Sequence, residues 1–264
     1  MEIKFYVQEN WMGVKNILQS ISLSGNIPEE IDELIIPHIT KSGHCIDKIS
    51  SFVLKRLSDS LAKKGCFTQI NRLIISDNIS QVAESAFCEN DLIKTVVWPK
   101  SCKTIPAFCF KKSSIEAIEN IENVKSIGKE AFANSKIKTI LWPEPTKEIS
   151  SAVFMDSSLE LIRGIENITS IRRRAFSGSK ISTIKWPNQC KCVSPVVFAS
   201  CQELKEVVLN QNVEEIHLSA FINCSCLEAV DLSSCIFLKT VYQFSRGGIP
   251  PLIGTYYNSQ LLTT

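Results

Sequence analysis

With 264 residues, 44% of them apolar, and a formal net charge of +2, the chain can bury a sizeable core and lacks the basic stripe of a nucleic-acid-binding protein. No run approaches the roughly 18 apolar residues that would span a membrane. The segment Met1 to Ser20 carries Glu2, Lys4 and Glu9 and has no continuous apolar core, so it does not read as a secretory signal, and the sequence by itself points to the cytoplasm.

Residues 1–30 are predicted to form an N-terminal helical cap. Trp11, Val14, Ile17, Leu18 and Ile21 recur at helical spacing, which predicts an amphipathic helix from Glu9 to Ser20 that ends before the Gly25-Asn26-Ile27-Pro28 turn. Residues 31–69 read as an irregular first repeat: the strand Ile31 to Ile36 stops at Pro37, and Ile46, Ile49, Phe52, Val53, Leu57 and Leu61 fit a helix over 47–63 ended by Gly65.

From residue 70 a period takes over. Phe87, Phe110, Phe132, Phe154, Phe176, Phe198 and Phe221 follow one another at 22 or 23 residues, and one more step of 23 lands on Phe244. Five residues before each Phe, from Phe87 to Phe221, stands Val82, Ile105, Ile127, Ile149, Ile171, Val193 or Ile216; three residues after stands Asn90, Ser113, Ser135, Ser157, Ser179, Cys201 or Cys224. A fixed period of this size signals stacked coils, none of which can bury enough apolar surface alone. Residues 70–244 are therefore regular repeats, and 245–264 a cap or tail whose Leu252, Ile253, Tyr256 and Tyr257 can cover the final coil. In Ile137 to Trp142, Ile140 and Trp142 face inward if the segment is a strand, and Pro143 ends it. Trp98, Trp142 and Trp186 recur every 44 residues, alternating with Asn120 and Gly164; packing of a large ring beside a small residue accounts for the pattern.

The pattern I-x-x-I-x-W/L-P followed by I-G-x-x-A-F-x-x-S/C, seen in Ile137 to Pro143 and Ile127 to Ser135, resembles the treponemal-type leucine-rich repeat of BspA-like proteins, over about Ile70 to Phe244. The resemblance implies a β-rich solenoid, with a curved parallel sheet on its concave side and short helices or turns on its convex side. It also implies protein binding and cell-surface adhesion, which would put the chain at the cell surface instead.

The outward strand positions are the candidate partner-binding residues: Lys94, Thr95, Glu116, Lys138, Thr139, Leu141, Glu160, Arg163, Thr183, Lys185, Lys205, Val208 and Asp231. From Lys94 to Glu160 the sign alternates from coil to coil, so adjacent strands can neutralise one another in a charge ladder. Such a ribbon excludes a uniformly basic phosphate track and fits a protein ligand of mixed polarity. Arg172, Arg173 and Arg174 form the densest basic run and read as a solvated face. The sequons at Asn78, Asn167 and Asn223 matter only on a secretory route.

No catalytic, cofactor or metal site is expected. The eleven cysteines are an odd number and read as reduced thiols; Cys190-Lys191-Cys192 and Cys224-Ser225-Cys226 lack the two-residue spacing of zinc knuckles. His44 and Cys45 offer the one nucleophile pairing, without a third group to orient it. The expected function is a non-enzymatic protein-interaction module acting through its concave face. An assembly unit that uses the ends of the solenoid, and a thiol enzyme at Cys45, are the alternatives.

Overall fold

The computed structural model describes residues 1–8, 16–243, 250–253 and 260–263. The chain packs as two units, Met1–Ile137 and Lys138–Thr264, each a β-solenoid in which successive strands alternate between two walls.

In the first unit, β1 (Glu2–Gln8) and β2 (Ile17–Ser24) form an antiparallel hairpin, followed by β3 (Glu30–Ile36), β4 (Lys48–Ile49), α1 (Val53–Lys63), β5 (Gln69–Ile75), β6 (Gln81–Val82), β7 (Ile93–Val97), β8 (Thr104–Ile105), β9 (Ala117–Glu119) and β10 (Ser126–Ile127). One wall is the ribbon β3-β5-β7-β9; the other is β1-β2-β4-β6 with the pair β8-β10. The helix expected over Glu9 to Ser20 is not found in its described part, where Ile17 to Ser20 belong to β2. A β-bulge explains the misreading: the register slips between Tyr6 and Val7, which pair with Ser20 and Leu18 and leave Gln19 unopposed. Leu18 and Ile21, three apart, therefore both face the core, and a bulged strand imitates a helical period.

The helix expected over 47–63 starts at Val53 and not at Asp47. Lys48 and Ile49 pair with Gln81 and Val82 in parallel register, so Ile49 belongs to the column of Val82. Phe52 then takes the left-handed backbone (φ 56) that Ser85 takes (φ 58) at the matching place. Only beyond it can the chain wind into a helix, whose Val53, Leu54, Leu57 and Leu61 are buried. At the other end Cys66 N–H donates to the Leu61 carbonyl at 3.0 Å and Gly65 takes φ 68, a glycine-closed helix end.

In the second unit, β11 (Thr139–Leu141), β12 (Glu148–Ile149), β13 (Leu161–Arg163), β14 (Ser170–Ile171), β15 (Thr183–Lys185), β16 (Cys192–Val193), β17 (Glu206–Val208), β18 (Glu215–His217), a 3-10 turn (Leu218–Phe221), β19 (Val230–Asp231), β20 (Thr240–Gln243), β21 (Leu252–Ile253) and β22 (Gln260–Thr263) follow in order. The ribbon here is three parallel pairs, β11-β13, β15-β17 and β19-β21, and the opposite wall is β12-β14 and β16-β18-β20-β22. Val230 and Asp231 register with Leu252 and Ile253, so that part of the tail adds a strand to the ribbon. Phe244, Tyr256 and Tyr257 lie outside the described residues.

The Phe column is the core of both units. Phe87, Phe110 and Phe132 stack at 5.3 and 5.4 Å between centroids, and Phe154, Phe176, Phe198 and Phe221 at 5.8, 5.6 and 6.0 Å. The residues two before and two after the column Phe sit repeatedly at positive φ: Ser85, Phe108, Glu130, Ala152, Arg174 and Val196 before, and Glu89, Lys112, Asn134, Asp156 and Ser200 after. This alternation turns N–H groups toward the following coil. Phe87 donates to Cys109 and Glu89 to Lys111 at 3.0 and 2.8 Å; Phe154 donates to Ala175 and Asp156 to Ser177 at 2.9 and 2.7 Å. Backbone groups buried between coils are thereby satisfied without a strand.

Candidate interaction surface

The three regularly spaced indoles belong to the core. Trp98, Trp142 and Trp186 are at most 2% exposed, and each N–H donates to the carbonyl four residues on: Cys102, Thr146 and Cys190, at 3.0, 3.2 and 3.1 Å. Their alternation has a backbone cause beyond packing. Asn120 and Gly164, in the intervening coils, take left-handed conformations (φ 61 and 77), which asparagine and glycine tolerate best. A side chain at Gly164 would also meet the Trp142 carbonyl, 2.8 Å from the Cβ position.

This alternation shapes the ribbon of the second unit. The backbone N–H groups of Trp142 and Trp186 donate to the carbonyls of Arg163 and Val208, at 2.8 and 2.9 Å, which continues the pairs β11-β13 and β15-β17. The left-handed turn at Gly164 leads the chain away after β13, and among the described residues no ladder joins β13 to β15 or β17 to β19. Depressions open at both breaks. The larger, of about 350 Å³, is lined by Leu161, Ile165, Thr183, Lys185, Glu206 and Val208 among others; the smaller, of about 130 Å³, lies beside Lys205, Val208 and Asp231.

Of the residues expected from sequence, Thr183, Lys185, Lys205, Val208 and Asp231 line these depressions. Lys138, Thr139, Leu141, Glu160, Arg163, Thr183, Lys185, Lys205, Val208 and Asp231 are all exposed. Leu141 is 68% and Val208 42% exposed, and Leu161, at 39%, joins them. Leu161 and Glu206 escaped the sequence reading although they share the column of Thr139 and Thr183, with which they register directly. Asp231 is turned to its own chain: its carboxylate accepts from the Ser233 N–H at 2.8 Å and from the Ser233 hydroxyl, and these bonds hold it below the usual carboxylate range.

The expected Lys/Glu ladder takes a different form. Glu160 N–H donates to the Lys138 carbonyl at 2.8 Å, but among the described residues no ion pair joins those side chains. Charge neutralisation occurs in the first unit, one column over. Arg72, on β5, spans Glu33 and Glu119 at 2.9 and 2.8 Å, and the hydrogen bond that it donates to Glu119 raises the guanidinium above its ordinary value. Lys94 reaches Asn71 at 3.1 Å and Glu30 at 3.9 Å; Thr95 is half-buried between Arg72 and Ala117 in the register, and Glu116 is exposed. Arg72 lay outside the column followed in the sequence.

On the opposite wall Arg172 pairs with Glu148 at 2.7 Å, while Arg173 and Arg174 are exposed. His44 and Cys45 lie in a small hairpin. The His44 ring meets the Ser42 hydroxyl at 2.8 Å, the His38 ring meets the Ile46 carbonyl at 3.0 Å, and Cys45 forms an isolated bridge with Ile39. The turn column behaves as hydrogen-bonding spacers: Ser113, Ser135 and Ser157 hydroxyls donate to the carbonyls of Phe110, Phe132 and Phe154 at 2.7, 2.7 and 2.8 Å. Cys201 and Cys224 thiols reach one coil back, to Phe176 and Phe198, both at 3.0 Å. No helix among the described residues is long and apolar enough to cross a membrane.

Two walls of short parallel strands, an internal Phe stack and a repeat of 22 to 23 residues define a leucine-rich-repeat solenoid. The sequence matches the family described as the BspA type leucine rich repeat region, in six copies, over residues 47–160 and 125–246. The chain belongs to that family. Among solved structures it is similar to a leucine rich cell surface protein from Faecalibacterium prausnitzii, at 17% identity over 94% of this chain and 83% of that one, with a TM-score of 0.58. It also matches the leucine rich repeat protein of T. pallidum (15% identity, 84% and 87% covered, TM-score 0.47) and the pneumococcal vaccine antigen PcpA (16% identity, 95% and 76% covered, TM-score 0.49). No curated protein matches the sequence.

Proposed function

We propose that this chain is a non-enzymatic interaction module that binds a protein partner on the ribbon of its second unit and acts, adhesin-like, at the cell surface. The observation that carries the reading is a depression of about 350 Å³ lined by the exposed Leu161 and Val208 with Lys185 and Glu206, on a ribbon that also exposes Leu141, in register with Arg163 on β13. Exposed apolar side chains rimmed by charge are the composition of a protein-binding surface. In the first unit the ribbon is already occupied by its own ion pairs at Arg72, which makes it the weaker candidate. The surface assignment draws on family membership and on the cell-surface protein that shares the fold.

Two measurements test this reading. Surface biotinylation with protease shaving of intact cells should label and remove the protein; complete protection would end the adhesin-like part. Partner capture should be weakened at least about tenfold by Lys138→Glu with Leu141→Asp, as expected for loss of an interface anchor. Arg172→Glu, on the opposite wall, should leave it unchanged. Equal capture by all three proteins would reject the ribbon and favour an assembly unit that uses its ends.

A further inference from the structure

The wall opposite the ribbon carries one group of metal-ligating side chains. Cys192 on β16 registers with Glu215 on β18, and Val193 with Ile216. Val193 and Ile216 are fully buried, so by strand alternation Cys192, Glu215 and His217 project from the outer face. The ligand atoms of these three residues lie within 4.8 Å of one another, the one such group among the described residues. His217 is further held from the next coil: it registers with Tyr242 on β20, and the rings stack at 4.1 Å with 7° between planes. Beside them on this face, Thr240 registers with Glu215, and Ser194 turns its hydroxyl to the Ile171 carbonyl of the preceding coil at 2.5 Å.

We infer that Cys192, Glu215 and His217 form a binding site for a borderline-soft divalent cation of the zinc class. A thiolate, an imidazole and a carboxylate are the ligand types that zinc combines, and three protein ligands leave a fourth tetrahedral position open. The thiolate disfavours calcium and magnesium, which take oxygen ligands. Stacking against Tyr242 restricts the orientations open to the His217 imidazole. The spacing of Cys190-Lys191-Cys192 gave no hint of this site, because its ligands come from two coils and meet only through the parallel register. Elsewhere in these two columns the same arrangement is broken: Glu148 faces Ser170 and Arg172, and is bonded to both, at 3.0 and 2.7 Å.

The test uses the full chain, reduced and freed of metal, titrated with Co²⁺ alone and then with Zn²⁺. A sulfur-to-cobalt charge-transfer band should saturate at about one cobalt per chain and be bleached by zinc, which binds such sites more tightly than cobalt. Cys192→Ser should abolish the band, and His217→Ala and Glu215→Gln should each weaken binding at least about tenfold, the scale already seen for outer-shell partners. Cys226→Ser, which removes the exposed thiol, should leave the band intact. Glu215 is exposed, so its variant should keep its far-ultraviolet circular dichroism, separating loss of binding from loss of fold. Absence of the band in the unaltered protein, its survival in Cys192→Ser, or its indifference to both His217→Ala and Glu215→Gln would each overturn the site.

Discussion

Val196 holds a β-branched side chain at φ 51, a conformation that costs an L-residue roughly 1–2 kcal/mol. The coil imposes it, since the neighbouring N–H groups must turn toward the next coil. Asparagine tolerates the left-handed region, so Val196→Asn is expected to raise the unfolding free energy by about 1 kcal/mol in urea titrations. A loss of stability would mean that the Val196 side chain contributes more by packing than its backbone costs. Glu148 tests electrostatics at the same scale. The hydrogen bond from Arg172 holds its carboxyl below the ordinary glutamate value of 4.5, so the stabilisation is present above that value and disappears as pH falls through the lower folded one. Because the pair is largely exposed, Glu148→Gln should cost no more than about 1 kcal/mol at neutral pH. The difference from the unaltered protein should vanish in strong acid; a difference that persisted there would assign the effect to packing.

At the scale of the element, what could be read from the sequence was what repeats. The Phe column, the inward Trp142 and the alternation of Ile140 with exposed Leu141 all follow from a period that side-chain type reports directly. Where the structure departs from the expected helices, one residue breaks the phase: in the described part of the N-terminal segment the bulge at Gln19 gives a strand a helical spacing, and the left-handed Phe52 delays the start of α1 to Val53. The ribbon residues could be found by counting, whereas the depression between β13 and β15 could not, because it lies where the ladder is interrupted and a break in strand pairing has no side-chain column to report it. Gly128 is a similar case, since its column elsewhere holds Ala83, Pro106 and Ser150. Here the coils approach so closely that an added Cβ would lie 2.4 Å from Ala107 N and 2.7 Å from Ala107 Cα. Backbone cannot move aside as a flexible side chain does, so Gly128→Ala should cost about 1–3 kcal/mol, the scale of overpacking. A neutral result in thermal or denaturant unfolding would mean that these coils can separate freely.

For the whole chain, the eleven thiols report how the repeats open. Cys226 is exposed, Cys45, Cys66 and Cys192 are half-buried, and the remaining seven are buried. Burial pushes the Cys109 thiol well up, and raises Cys201 to about 11 and Cys224 to about 12. At neutral pH these groups hold little of the reactive thiolate, so their modification waits for the structure around them to open. Cys109 belongs to the first unit and Cys201 and Cys224 to the second. In a stack whose coils contact chiefly their neighbours, stability is a sum of local terms, and separate stretches need not open together. The ribbon of the first unit is one four-stranded ladder, β3-β5-β7-β9, whereas that of the second is interrupted between β13 and β15 and between β17 and β19. Labelling with a thiol reagent across a urea gradient, read by peptide mass spectrometry, should therefore find Cys201 and Cys224 losing protection at lower urea than Cys109. Coincident loss at all three would mean that a single cooperative transition spans the chain and that the interrupted ladders carry no cost in stability. Earlier loss at Cys109 would place the weak point in the first unit, against the ladder argument.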